Sequence, residues 1–440
     1  MMNSNIFSPL LSDVDMASIF SDEQFIRNIL HIEATLANVQ ATLGIIPAHT
    51  AQHIAQATKD LHVDIQRLQS GVDKSGIPII DLVQQLREAV DAASSSYIHW
   101  GATSQDIMDT ALVLQIRSAL EHIEKQTEHL IHNLAQLADQ HRATLMVGRT
   151  HSQQALPISF GLKVAGWLAP LLRQRQRLKQ LKPRLLVVQL GGAVGTLASM
   201  ENKGLQVRQA LAHELKLSVP LMTWHTQRDI LAEFANWLSL LTGSMAKMAQ
   251  DIILLAQSEI AELRESDDPT RGGSSTMPQK GNPIISEVII AAARTNAVLL
   301  SAMHQALIQE HERATGGWQI EWLNLPQMVI LTAAALSKAV FLSEHLVVDR
   351  ARMQLNVAAS NGLILAEALD LALAPHIGRV EAKKVIKESS QTVIQKNRHL
   401  VDVVREKVNA PIDWDALKDE ARYLGQANSF IDRVLNEAQK

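Results

Sequence analysis

Between Asp109 and His141 the chain contains no Gly and no Pro, and its apolar positions follow the period of one element. Leu112, Ile116, Leu120, Ile123, Thr127, Leu130, Leu134 and Leu137 are separated by steps of 4, 4, 3, 4, 3, 4 and 3. Those steps draw a single stripe along an α-helix and have no counterpart in a strand. Thirty residues of helix span about 45 Å, the length of a bundle rod. Further rods are expected over Asp229–Glu265, interrupted by Gly243, and over Ile284–Ala314. Two more are expected over Ile158–Leu181, kinked at Pro170, and from about Leu325 to Leu346.

Strand signals are scarce: Leu185–Val188 is apolar but lacks alternation. The expectation is an all-α chain, with a central bundle flanked by shorter helical segments broken by Gly and Pro. Aromatic residues make up only 4% of the 440 residues, which suits helices, where Ala and Leu lose little side-chain freedom. Several rods are apolar on more than one side, as at Val288–Ala293 and Val298–Met303. A helix apolar all round must be covered, so bundles from several copies packing together is the simplest resolution, with a large internally packed monomer as the alternative.

The formal net charge of -4, without a long run of one sign, gives no footprint of a nucleic-acid binder. The absence of cysteine removes disulfides, thiolate catalysis and Cys-based zinc sites. The first basic residue, Arg27, follows four acidic ones, unlike a signal peptide, and no uncharged apolar run reaches the ~20 residues of a membrane span. A cytoplasmic protein without a membrane partner is expected. Gly191-Gly192-Ala193-Val194-Gly195 departs from the dinucleotide fingerprint and reads as a tight turn. The pairs His129/His132 and His304/His311 lack a metal-binding pattern, so neither cofactor nor metal is expected.

Asp267–Pro283 interrupts the helical pattern with three Gly, three Pro, paired serines, a lysine and an asparagine. Such a loop suits gripping an anion and closing over it, although an ordinary surface connection has the same composition. The run Gly273-Ser274-Ser275-Thr276-Met277-Pro278-Gln279-Lys280-Gly281-Asn282-Pro283 resembles the GSSxMPxKxNP signature of the fumarase/aspartase superfamily. His99-Trp100-Gly101-Ala102-Thr103-Ser104-Gln105-Asp106-Ile107-Met108-Asp109 resembles that family's first block, and Gly148-Arg149-Thr150-His151-Ser152-Gln153 its second. Ile19-Phe20-Ser21-Asp22 through Leu43-Gly44-Ile45-Ile46-Pro47 and Asn361-Gly362-Leu363-Ile364 also fit, so the resemblance covers nearly the whole chain.

The resemblance implies three helical domains, here 1–110, 111–360 and 361–440, a homotetramer with a central 20-helix bundle, and active sites shared between subunits. It implies a small polycarboxylate substrate and chemistry through a doubly charged aci-carboxylate, which demands cations and hydrogen-bond donors. Ser274 matches the residue that moves a proton at carbon, and Lys280 and Asn282 match the stabilisers of that intermediate. His151 matches a catalytic histidine, as donor or as charge stabiliser, with Glu287, thirteen residues after Ser274, as its carboxylate partner. Thr103, Ser104, Thr150, Gln227 and Ser275 match groups that hold substrate, and His99 a further pocket histidine. Without the resemblance, these histidines would read as structural or exposed, and Glu287 as an acid favoured by a helix start.

Glu312-Arg313-Ala314-Thr315-Gly316-Gly317-Trp318-Gln319-Ile320-Glu321-Trp322 separates branches of the family. The adenylosuccinate-cleaving branch keeps the substrate-binding arginine matching Arg313. It places a serine and a second arginine, for a phosphate, where Trp318 and Trp322 stand here. The WxxEW pattern resembles the cycloisomerase branch, which closes a flat tricarboxylate into a lactone. The alternatives are a fumarate-releasing lyase and a catalytically inactive structural homologue. The signature departs from its commonest form at Gly281, where a basic residue is frequent.

Overall fold

The computed structural model describes residues 6–277 and 279–440; Pro278 of the signature run lies outside the described residues. The protein is mostly helical. Helix α1, Asp22–Thr42, begins where the Ser21 hydroxyl accepts the Gln24 N–H, with Asp22 and Glu23 in its first turn complementing the helix dipole. The long rods are α2 (Ser104–Gln140), α3 (Phe160–Leu185), α4 (Asp229–Leu255), α5 (Ile284–Gln305) and α6 (Gly317–His345).

Three boundaries differ from those read in the sequence. Helix α4 stops at Leu255 and not at Glu265, because Glu262, fully buried, turns inward to pair with Arg149. Arg264 then joins a two-residue strand pairing with Val347. Helix α5 stops at Gln305 and not at Ala314; His311 takes a positive φ of 47° and the Glu310 carboxylate accepts the Thr315 N–H at 2.8 Å. Helix α3 runs without interruption through Pro170, and α6 starts at Gly317 and encloses Pro326.

To the helical architecture expected from the sequence the structure adds a short antiparallel hairpin, β1 (Leu145–Thr150) with β2 (Gln153–Ser159). Alternation fails as a signal there because Met146, Val147 and Gly148 are buried in succession and the register shifts between Val147 and Arg149. The apolar run Leu185–Val188 forms only an isolated bridge, Val187 to Ser218.

The chain divides into two compact units. The first takes in the chain up to Lys125, Gln174–Thr242 and Ala292–Ala335; the second takes in Gln126–Arg173, Gly243–Ala291 and Leu336–Lys440. In the second unit Val147 of β1 belongs to a core with Val357, Leu369, Leu400 and Trp414. By length and composition α4, α5 and α6 are apolar enough to cross a membrane, and 44%, 39% and 67% of their most apolar windows are buried inside the chain. Lys247, Arg294 and Lys338 interrupt these helices, so none of them is an uncharged run.

His141, 3% exposed, packs edge-on against Phe160 and shares a 3.0 Å hydrogen bond with Thr144. Burial, with Arg350 adding to it, lowers its pKa from 6.5 to about 4. The folded state therefore holds a neutral imidazole while the unfolded chain takes up a proton below about pH 6.5. Stability is fully present above that pH and is lost as pH falls towards 4, by about 3 kcal/mol in total. Urea midpoints measured from pH 7 to 4.5 should fall less steeply in His141→Gln than in the wild type; parallel slopes would remove His141 as a source of acid sensitivity.

Candidate active site

The first unit is organised by one buried cation. Arg228, at the start of α4, is 2% exposed and donates from Nη1 and Nη2 to the two oxygens of Asp109 at 2.7 and 3.0 Å. Its Nε donates to Glu321 at 2.8 Å, and Nη2 donates to the same carboxylate. The guanidinium also lies 4.8 Å from the Trp224 ring centroid. Burial opposes its charge, but Asp109 and Glu321 outweigh burial and hold its pKa above the ordinary value. Burial raises the Glu321 carboxyl although Arg228 pulls the other way. The remaining lone pairs of Asp109 accept Trp318 Nε1 and Gln105 Nε2, both at 3.1 Å. This cluster ties α2, α4 and α6 together within that unit.

A second carboxylate in the first turn of α2 shapes the adjoining loops. Asp106, fully buried, accepts the N–H groups of Gly191 at 2.9 Å, Gly192 at 2.8 Å and Thr103 at 3.0 Å, and His225 Nε2 lies 2.7 Å away. The glycine run thus turns its amides towards the protein's own carboxylate. A Cβ at Gly191 would meet Thr223 at 2.3 Å, so a side chain cannot enter there.

Around this frame stand the residues expected to hold substrate. Thr103 precedes α2, and Ser104 opens it. Gln227 is exposed beside Arg228. Arg313 donates to Gln105 Oε1 at 2.9 Å and to the Ala193 carbonyl at 2.7 Å. His99 takes a left-handed φ of 64°, and its Nδ1 lies 2.6 Å from the buried Glu33 of α1. Burial opposes its charged form, but Glu33 more than offsets that and the His99 pKa is raised. Gln40, also on α1, holds the neighbouring Trp100 carbonyl at 2.7 Å.

The second unit carries the residues expected to do chemistry. Thr150 pairs with Gln153 across a two-residue turn whose central residues, His151 and Ser152, have φ of 49° and 62°. Positive φ at both positions is the demand of a type I′ hairpin turn, normally met by Asn or Gly. Exposed His151 occupies such a position at a strain of about 1 kcal/mol or more.

The signature loop folds back on itself. Asn282 N–H donates to the Gly272 carbonyl at 2.8 Å, where Gly272 has φ 68° and a Cβ would meet the Asn282 carbonyl oxygen at 2.3 Å. Glu265 accepts the N–H groups of Ile285 and Ser286, closing the loop base at the start of α5. The Ser274 hydroxyl accepts the N–H groups of Thr276 and Met277 at 3.4 and 3.2 Å. Those donors favour negative charge on that oxygen. Ser275, Lys280 and Glu287 are exposed. Gly281 has no left-handed φ, and a Cβ there meets nothing within 4 Å, so the backbone does not require glycine.

Among the described residues no hydrogen bond or ion pair joins His151 to Glu287 or Ser274 within the chain. Asp13, Asp15 and His122 place ligand atoms within 4.8 Å of one another, but Asp13 already caps a helix by accepting the Met16 N–H. Asp106, Asp109, Arg228, Glu321, Gln105 and Glu33 escaped the sequence reading. Asp106 and Asp109 stood inside the first block and Glu321 inside WxxEW, yet nothing in a single sequence marks an acid as inward-facing.

The family described as "Lyase" matches residues 13–296, and "Adenylosuccinate lyase C-terminus" matches residues 362–434. The chain belongs to the fumarate lyase superfamily. It is 42% identical to the 3-carboxy-cis,cis-muconate cycloisomerase of Pseudomonas aeruginosa, over 99% of this chain and 96% of that protein. It is 39% identical to trans-aconitate decarboxylase 1 of Mycosarcoma maydis, over 99% of this chain and 89% of that protein. Among solved structures, the 3-carboxy-cis,cis-muconate lactonizing enzyme from Pseudomonas putida superposes with TM-score 0.93 at 41% identity, covering 99% of each chain.

If the His151 backbone strain is kept for function, His151→Asn should raise stability. An increase of roughly 0.5–1 kcal/mol is expected from denaturant unfolding, because Asn tolerates left-handed φ. A destabilised variant would show that the His151 side chain contributes to folding.

Proposed function

We propose that this member of the fumarate lyase superfamily is a cycloisomerase that closes 3-carboxy-cis,cis-muconate to 4-carboxymuconolactone, a step of protocatechuate breakdown. The observation that carries this reading is the 313–322 segment. Arg313 stands as one anchored cation. Trp318 is spent on Asp109, and Trp318 and Trp322 pack edge to face at 4.8 Å. That arrangement suits a flat polycarboxylate, and neither Trp318 nor Trp322 offers a hydroxyl or a second cation for a phosphate. The full-length similarity to the cycloisomerase of Pseudomonas aeruginosa supports it.

In this reaction one substrate carboxylate adds to a double bond conjugated with another. The new C–O bond pushes the electron pair into the second carboxylate, giving the aci-carboxylate. Lys280 and Asn282 stabilise that charge, and the Ser274 hydroxyl delivers a proton to carbon, leaving an alkoxide held by the loop N–H groups. His151 with Glu287 acts at the same substrate, and Thr103, Ser104, Thr150, Gln227, Ser275, His99 and Arg313 hold its carboxylates. The conversion is redox-neutral and calls for no cofactor. We infer further that the working form is a homotetramer of three-domain chains, 1–110, 111–360 and 361–440. Other copies would then cover the exposed apolar faces of α4, α5 and α6 and supply Glu287 to His151.

A second reading rests on the 39% identity to the trans-aconitate decarboxylase. Its substrate is also an unsaturated tricarboxylate, and the same loop would stabilise charge left by departing carbon dioxide. Incubating the purified protein with 3-carboxy-cis,cis-muconate, trans-aconitate and adenylosuccinate, followed by proton NMR, separates the readings. Lactone signals from the first alone are expected; signals of a decarboxylated, unsaturated dicarboxylate from the second, or of fumarate from the third, would replace the proposal.

With the active substrate, Ser274→Ala should lower kcat by at least about 100-fold, as expected for a proton-transfer group. Lys280→Met should cost roughly 3–4 kcal/mol in kcat/KM, the scale of one oxyanion donor. A Lys280 effect confined to KM would mean that it binds only the ground state.

A further inference from the structure

We propose that Gln105 is a positioning residue that fixes the guanidinium of Arg313 for a substrate carboxylate. The inference rests on the reading of Arg313 as a carboxylate ligand and concerns what sets its place.

Arg313 sits in the non-helical stretch between α5 and α6, where local structure does not hold it. Two acceptors do, and each is fixed by a buried carboxylate of α2, Asp109 for the first and Asp106 for the second. The first acceptor is Gln105 Oε1, 2.9 Å from Arg313 Nη1. Gln105 is 1% exposed, and its Nε2 donates to Asp109 Oδ2 at 3.1 Å and to the His225 carbonyl at 2.9 Å. Asp109, as a carboxylate, and the carbonyl can only accept, whereas the guanidinium can only donate. Rotating the amide by half a turn would set oxygen against two acceptors and NH2 against a cation. The chemistry of its three neighbours therefore dictates the orientation, and Oε1 faces Arg313.

The second acceptor is the Ala193 carbonyl, 2.7 Å from Arg313 Nη2. Ala193 follows Gly191 and Gly192, whose N–H groups are held by Asp106. Arg313 thus uses two of its five N–H groups, and the other three have no partner among the described residues. A guanidinium held at two points and open at three is preorganised to take a carboxylate. In this scheme the Arg228 cluster reaches the substrate indirectly, through Asp109 and then Gln105.

The test is a crystal structure of the full-length Gln105→Met enzyme with a kinetic double-mutant cycle against Arg313→Met. In Gln105→Met the Arg313 side chain should lose its position while the Asp109–Arg228–Glu321 contacts remain. KM should rise at least about ten-fold, the scale of one charge-assisted hydrogen bond, with kcat changed far less. In the Arg313→Met background the same substitution should add nothing further to KM. An undisplaced Arg313 in Gln105→Met, or equal effects of that substitution with and without Arg313, would overturn the proposal. If Arg313→Met leaves KM unchanged, the carboxylate reading of Arg313 fails, and the crystal structure still decides whether Gln105 holds it. Should Gln105→Met not fold, the cycle is run with Gln105→Asn, whose shorter amide cannot reach Arg313, judged by the same outcomes.

Discussion

A guanidinium removed from water and faced by two carboxylates is the constraint on which the first unit depends. Arg228 and both partners, Asp109 and Glu321, are about 1% exposed in their side chains. Removing the cation would strand two buried anions, and a single broken partner in such an arrangement typically costs 3–5 kcal/mol. The cluster is satisfied on every side: Gln105 and Trp318 saturate Asp109, and Trp224 lies against Arg228. It specifies which turn of α2 faces which turn of α4 and α6, a choice that interchangeable apolar contacts leave open.

That frame explains a division of labour within the first sequence block. Its two carboxylates point inward and are used up: Asp109 on Arg228, Asp106 on the Gly191–Gly192 amides and His225. Thr103 and Ser104 remain at the start of a long helix, where the dipole favours an anion. The acidic residues of the block thus build the scaffold, and Thr103 and Ser104 stand outside it. The second unit follows a different rule: its candidate groups sit on strained or exposed backbone, His151 at a hairpin tip and Ser274 and Lys280 in a loop closed at its base by Glu265.

How much of this the sequence revealed depends on the kind of signal. The five rods were legible because the 3.6-residue stripe survives over thirty residues and does not depend on what covers it. Their ends were not, since α4 stops ahead of the Glu262–Arg149 pair, whose members are far apart in sequence, and α5 gives way to a turn in which Glu310 accepts the Thr315 N–H. The hairpin was missed as a strand pair because its buried face is continuous, although its turn carried the second sequence block. The candidate residues were named through family resemblance, and the structure distributes them between two units without pairing His151 and Glu287 in one chain. The positioning residues, Gln105 and Glu33 among them, left no trace because an amide or an acid looks alike whether it faces water or a guanidinium.

The most direct test of this account is a crystal structure of the Ser274→Ala enzyme bound to 3-carboxy-cis,cis-muconate. The account predicts one substrate carboxylate on the open edge of Arg313 and another within hydrogen-bonding distance of Lys280 and Asn282. It also predicts His151 facing Glu287 from a different chain. Substrate bound away from Arg313 and Lys280, or a site completed by residues of one chain, would contradict it.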